Sequence, residues 1–445
     1  MEKKMRELLA SMKKLEAIDK SLYEKYDIRR GLRNKDGTGV LVGLTGVGDV
    51  VGYRMVEGRK VPAHGDLYYR GYSIKDLVND LEEDKRLGYE EVIYLLLFSK
   101  LAKQKELDLF KRVLIEERDL PKNFLEDVIL RVPGRNIMNK MTRSMLYLYS
   151  YDDNPDGLDM ENVLCQSISL ISKIPLLMAY SYQAKKHYID GKSLYIHYPY
   201  EDKSIAENIL HLIRDEDDFS DLEAKILDLL LIVHAEHGGG NNSAFATHVV
   251  SSSGTDTYSS IAAGLASLKG PRHGGANLKV AQMLRNIEEN IGDINDDQKL
   301  TDYLVKILDA KAFDQKGLIY GLGHAVYTLS DPRAILLKKQ AKILAEKTGK
   351  EEEFAFIERV EKIGGRLVQE RFDKAYPACA NVDMYSGFVY KMLKIPEELY
   401  TPLFAVSRMS GWCAHRLEQI QDKKIIRPAY KSISVLKDYT KLKDR

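Results

Sequence analysis

The sequence predicts a mainly α-helical fold, on three observations. From Ser73 onward, apolar residues recur at three- and four-residue intervals between charged faces, as in DLVNDLEEDKRLGYEEVIYLLLFSKLAKQKELDLFKRVLIEE. That spacing gathers them on one side of a helix. Strand signals are scarce along the chain. Proline and glycine punctuate the helical pattern at Pro121, Pro133 and Gly134, then at Gly274-Gly275 and from Pro377 to Asp383. The last two breaks bracket roughly 100 residues, the size of a smaller domain set beside functional-looking histidines.

In chain order, the first 30 residues read as helical. Lys35 to Val56, with its loose alternation of Val, Leu and Gly, reads as a short hairpin or two. Helices follow at Asn162 to Ala184 and Ile205 to Ile213, and a solvated acidic turn spans Asp215 to Asp221. Leu222 to Val233 reads as a buried helix and Ile261 to Leu268 as another apolar segment. Beyond them come helices at Leu278 to Asn290 and Thr301 to Ala312, joined by an Asp/Asn-rich link at Asp293 to Gln298. The charged stretch Ile335 to Ile363 reads as surface-facing helix. Asp383 opens a further candidate helix.

Composition narrows the function. Sixty-seven Lys and Arg stand against 66 Asp and Glu, so the net charge of +1 gives no reason to expect a nucleic-acid or acidic-membrane surface. The longest apolar stretch seen, Ile226 to Val233, is broken by Asp228 and too short for a bilayer. Cys165, Cys379 and Cys413 form no CxxC pair, which suits a reduced, intracellular setting. The segment MEKKMRELLASMKKLEAIDKSLYEK mixes acids with lysines and lacks an apolar core, unlike a secretory signal or transit peptide. A cytoplasmic location is the expectation.

Four polar clusters carry the chemistry. In His234-Ala-Glu-His237-Gly-Gly-Gly-Asn241, two histidines three positions apart could share a helix face and a metal, though the pattern is not HExxH. Imidazoles capping a helix end are the structural alternative, and glycines admitting a ligand to backbone amides are the third. Gly270-Pro-Arg-His273-Gly-Gly-Ala-Asn277 is either a helix connector or a stiff turn presenting its histidine. Gly321-Leu322-Gly323-His324 lacks the third glycine of a dinucleotide fingerprint. With Arg333 nine residues on, it instead suggests a carbonyl contact beside a carboxylate clamp. Asp383, in Pro377-Ala-Cys-Ala-Asn-Val-Asp, is either a helix N-cap or a base facing substrate. Taken together, the four suggest proton transfer beside a polarised carbonyl, with arginines holding an anion.

These segments, with FAVSRMSG, the late IRP and LYYRGY at Leu67 to Tyr72, closely resemble the citrate synthase family in the expected order over most of residues 60–430. The resemblance implies a two-domain helical fold. Residues 1–277 plus 381–445 form the large helical domain, and residues 278–380 an inserted smaller helical domain on the CoA side. It implies a homodimer. It also implies condensation of acetyl-CoA with oxaloacetate and water to give citrate and CoA, with the CoA thioester as substrate, no permanently bound cofactor and no metal.

Carried over by motif, Asp383 is the base that removes a methyl proton. His273 meets the thioester carbonyl, and His324 polarises the ketone. His237, Arg333 and Arg408 hold the dicarboxylate, joined by Arg427 from the partner subunit. Gly321, Leu322, Gly323 and Asn241 lie on the CoA side. Thr328 stands where some members carry a basic residue. Two alternatives belong beside this reading: a 2-methylcitrate synthase that uses propionyl-CoA, and an inactive homologue that keeps a CoA-binding scaffold.

Overall fold

The structure, a computed structural model, describes residues 2–11, 17–216 and 218–444. Residues 1–44 form a unit of their own, with helices α1 (Glu2–Ser11) and α2 (Ser21–Lys25) followed by a turn closed by the Arg33–Gly39 bridge. The helical reading of the first 30 residues therefore holds in two pieces, while 12–16 lie outside the described residues.

The second unit, residues 45–445, begins with strands β1 (Gly48–Val56), β2 (Arg59–Tyr69) and β3 (Tyr72–Ser73), an antiparallel sheet in that order. The hairpin read at Lys35 to Val56 thus starts later and runs longer. Its second strand escaped the sequence because its first half is exposed and carries Arg, Lys and Pro rather than alternating apolar residues. Only Leu67 and Tyr69, with Gly65, point inward.

Then come α3 (Ile74–Glu83), α4 (Tyr89–Phe98), α5 (Gln104–Glu116), α6 (Ile137–Leu148), α7 (Met160–Tyr188) and α8 (Ile205–Ile213). They are followed by α9 (Asp221–His234), α10 (Asn242–Ser251), α11 (Thr257–Lys269), α12 (Ala276–Ile291) and α13 (Asp297–Leu308). The last four are α14 (Pro332–Thr348), α15 (Glu351–Arg371), α16 (Asp383–Met392) and α17 (Tyr400–Asp422). Ser220 caps α9 in a reciprocal box with Glu223, which ends the acidic turn. The stretch read as one charged helix is two, α14 and α15, parted at Gly349 in the left-handed region. Both bury a face, through Leu337, Ala341 and Leu344 on one and Phe356 and Val360 on the other.

The longest apolar helix is α7, not the Ile226 to Val233 stretch. It is long and apolar enough to cross a membrane, yet 78% of its most apolar window is buried inside the protein. It packs on α17, α6 and α8 as a core helix. Helix α17 touches α4, α7, α9, α10 and α11, and the sequence reading had no helix there. Its buried Arg408, His415 and Arg416 interrupt the apolar pattern that would have marked it. Around these helices runs the main apolar core. A second, smaller cluster of Met283, Ile287, Leu300, Leu304, Phe356 and Val360 lies wholly within residues 278–380.

Candidate active site

The four clusters meet at one cavity of about 150 Å³. Its lining includes His237, Asn241, His273, His324, Arg333, Asp383 and Arg408, together with Asn381, Tyr400, Thr401 and Phe404. A larger hollow of about 680 Å³ between α5, α7 and α8 contains none of the clusters.

Main-chain pairing brings the third cluster to the fourth. The Gly323 amide donates to the Cys379 carbonyl at 2.8 Å, and the Asn381 amide to the Gly321 carbonyl at 2.9 Å. Leu322 and Ala380 form the bridge between them. Both glycines sit in the left-handed region, at φ +86° and +81°, which a side chain would disfavour. Gly321, Leu322 and Gly323 thus build the wall by pairing and do not line the cavity themselves. Thr328 is also structural, its hydroxyl donating to the Gly52 carbonyl at 2.6 Å.

The N-cap alternative for Asp383 is not realised. Its own amide is received by Asn381 Oδ1 at 3.0 Å, and Asn381 Nδ2 donates to the Gly323 carbonyl at 2.9 Å. Asn381 therefore does the capping and leaves the Asp383 carboxylate to face the cavity. Burial pushes that carboxyl up to about 6, against the pull of Arg333.

Arg333 sits at the start of α14, where Asp331 is the N-cap and Pro332 the first helical residue. Its Nε and one terminal nitrogen donate to the two Asp331 oxygens at 3.0 and 2.7 Å, so the fork is held rigid. Arg408 is held on one side only: its Nε donates to the His234 carbonyl at 2.6 Å, and Phe404 stacks 4.7 Å away. Both terminal nitrogens are buried and, among the described residues, have no hydrogen-bond partner. Burial lowers its pKa to about 10, which leaves it charged at neutral pH. A buried cation with two idle donors is a preformed anion site.

The histidines divide the roles proposed for them. His234 Nδ1 donates to the Leu230 carbonyl one turn back at 2.8 Å, a structural contact. His237 instead turns to His324, their Nε2 atoms 3.0 Å apart. The two rings of the first cluster do not converge, and among the described residues neither belongs to a group able to hold a metal. His324 Nδ1 accepts the amides of Val326 and Tyr327 at 3.1 and 3.2 Å, which places the proton of a neutral ring on Nε2. Burial, then Arg333, holds His237 well below its ordinary value, so that ring is neutral.

His273 stands on the turn between α11 and α12. Its Nε2 lies 3.1 Å from Ser243 Oγ, which also receives Trp412 Nε1 at 3.1 Å and lies 2.8 Å from Asn241 Oδ1. Burial, then the Arg408 charge, lowers His273 to about 4. The Gly-Gly after it is required by close packing, because a Cβ on Gly274 would overlap the Leu268 carbonyl oxygen. Ser243, Asp331 and Asn381 contact His273, Arg333 and Asp383 from behind the cavity. The Asp-Pro-Arg order, a cap followed by a first-turn proline, was a readable signal for Asp331; Ser243 and Asn381 carried none. Arg427 is exposed and does not line this cavity within its own chain.

A base, neutral imidazoles and two fixed guanidinium groups around one small hollow suit enolate formation beside an anionic ketone, and the class so defined is a carbon–carbon condensing enzyme. The family profile described as citrate synthase, C-terminal domain, matches residues 37–429. Citrate synthase 2 of Bacillus subtilis (strain 168) is 35% identical over 363 residues, spanning 81% of this chain and 88% of that protein. For 2-methylcitrate synthase 1 of Corynebacterium glutamicum the identity is 30% over 391 residues, spanning 87% and 93%. The crystal structure of citrate synthase from Pyrobaculum aerophilum superposes with a TM-score of 0.75 at 29% identity, covering 91% of this chain and 94% of that one. The chain belongs to the citrate synthase family. It is a transferase of the Claisen type, joining a CoA thioester to a dicarboxylate substrate.

Proposed function

We propose that this enzyme condenses acetyl-CoA with oxaloacetate and water, releasing citrate and CoA. The observation that carries the reading is Arg408, whose two unpartnered donors open on the same cavity as Asp383 and His273. Asp383 removes a proton from the thioester methyl. The charge moves to the thioester oxygen, where the neutral His273 imidazole meets it. The enolate carbon then attacks the ketone carbon of oxaloacetate, held by Arg333, Arg408 and His237. His324 Nε2–H gives its proton to the new alkoxide. Water finally cleaves the thioester of citryl-CoA, so one CoA thiol is freed per turnover.

The smaller cluster of residues 278–380 supplies the CoA side, with Asn241 near the thioester and Leu322 in the wall behind the cavity. Its closure over the large domain would exclude water until the carbon–carbon bond has formed. Arg427 completes the neighbouring site in a homodimer. If so, Arg427→Ala weakens oxaloacetate binding, and mixing it with a site-dead chain restores part of the activity; mixtures with no recovery reject the sharing.

Propionyl-CoA is the second reading, supported by the relative from Corynebacterium glutamicum. One methylene in an apolar pocket separates substrates by only about 1–3 kcal/mol. Thiol release at equal oxaloacetate decides between them. A kcat/KM for propionyl-CoA clearly above that for acetyl-CoA replaces the first reading with the second, and no release with either leaves the scaffold alternative.

A further inference from the structure

Behind the His237 wall lies a buried polar cluster that the reaction does not touch. Glu236 and His415 are both fully buried, and His415 Nε2 donates to Glu236 Oε1 at 3.0 Å. The same oxygen accepts the Gly238 amide. Across the ring, His415 Nδ1 faces His248 Nε2 at 3.1 Å and Glu418 Oε2 at 3.8 Å. His248 Nδ1 in turn faces Gln419 Oε1 at 2.8 Å.

Acceptors on the outer nitrogen of each ring draw the protons outward. Two neutral rings would then aim lone pairs at one another across 3.1 Å. A proton on His415 Nδ1 removes the conflict, since the charged ring donates to Glu236 on one side and His248 on the other. Room for this arrangement is built into three glycines. A Cβ on Gly48 would lie 2.7 Å from Glu236 Cγ, and one on Gly411 2.5 Å from Glu236 Oε2. One on Gly239 would press on both imidazoles at 3.4 Å.

We propose that the Glu236–His415 ion pair is a positioning device that holds the His237–Gly239 wall of the anion cavity, and that loss of the His415 proton loosens the wall and weakens dicarboxylate binding. The proposal rests on the dicarboxylate reading of the cavity. The groups facing the pair are Glu418 and Arg408 on α17 itself, His248 from α10, Arg70 from the β2–β3 turn and the Tyr69 hydroxyl from β2. Burial alone would discharge His415, but Glu236 and then Glu418 more than offset it and raise its pKa to about 9. The folded value lies above the ordinary one. The ion pair is therefore complete at neutral pH and is lost as pH rises through about 9.

The test is oxaloacetate KM against pH, using the full chain in the thiol-release assay. KM should be flat at neutral pH and climb above about 9, approaching tenfold per pH unit, while kcat changes little. Arg408 loses its charge higher, near 10, so the step belonging to His415 is the part that H415Q abolishes. In E236Q, KM should rise about tenfold at neutral pH and the step should move down by two units or more. The double variant E236Q/H415Q pairs two neutral amides and should return KM to within about threefold of wild type, with no step.

Histidine ring NMR provides a readout independent of turnover: His415 should titrate near 9 in wild type and much lower in E236Q. If no thiol is released by any form, the substrate reading fails, and the NMR titration still decides the ion pair. The proposal is overturned if His415 titrates below 7, or if H415Q keeps the alkaline step. It is equally overturned if a stoichiometric zinc ion co-purifies on His248, His415 and Glu418, whose facing atoms all lie within 4.8 Å of one another.

Discussion

In the proposed reaction, Asp383 is the residue whose setting most directly limits the chemistry. Its carboxyl titrates near 6 because it is buried, and only the ionised form can take a proton from carbon. Turnover should therefore fall about tenfold per pH unit below about 6, read as log kcat against pH. Asp383→Asn should lower kcat by about 10²–10⁴-fold while oxaloacetate binding, measured calorimetrically, stays intact. Near-normal turnover in that variant would remove Asp383 from the role. Much of this was legible in the sequence, because His237, His273, His324, Arg333, Asp383 and Arg408 all reach one cavity. What was not legible is the layer behind them. Asn381 caps in place of Asp383, and Ser243 links His273 to Trp412, yet neither belongs to a pattern with a fixed spacing. Contacts made between distant segments leave no periodic trace in either one.

At the scale of the element, the glycines separate into those required and those merely tolerated. On the turn between α11 and α12, Gly274→Ala would drive a methyl group into the Leu268 carbonyl and against Thr401. It should cost about 1–3 kcal/mol in a urea titration and displace His273 with a loss of turnover. Gly240→Ala meets nothing within 4 Å among the described residues and should leave both unchanged. Equal effects of the two would mean that the packing at Gly274 does not position the histidine. Helix positions were read well where one face is apolar, as in α8, whose bounds match the expectation residue for residue. Helix α17 was missed for the opposite reason: it is buried on nearly every side and spends interior positions on Arg408, His415 and Arg416. Strand β2 was missed because half of it is exposed and polar.

For the molecule as a whole, the neutral interior histidines imply a preference for pH above 6.5. His234 is held near 3 and His273 near 4, with His237 and His248 lowered as well, in each case by burial first. The unfolded chain takes up those protons sooner, so stability falls as pH drops below 6.5. Each histidine contributes roughly 1.4 kcal/mol per pH unit. Asp228, raised to about 7, and Asp383, near 6, work in the opposite direction and cancel part of the loss. A urea midpoint that falls between pH 7 and 5 agrees with this balance; a rising one refutes it. The two breaks, at Gly274-Gly275 and from Pro377 to Asp383, were legible in the sequence. The tie between residues 321–323 and 379–381 was not, since it depends on main-chain pairing alone. Trp412 is the chain's single tryptophan, and its indole donates to the same Ser243 oxygen that His273 approaches. The enzyme therefore carries an intrinsic fluorophore two hydrogen bonds from the His273 imidazole, an optical reporter of that ring's setting that needs no dye and no label.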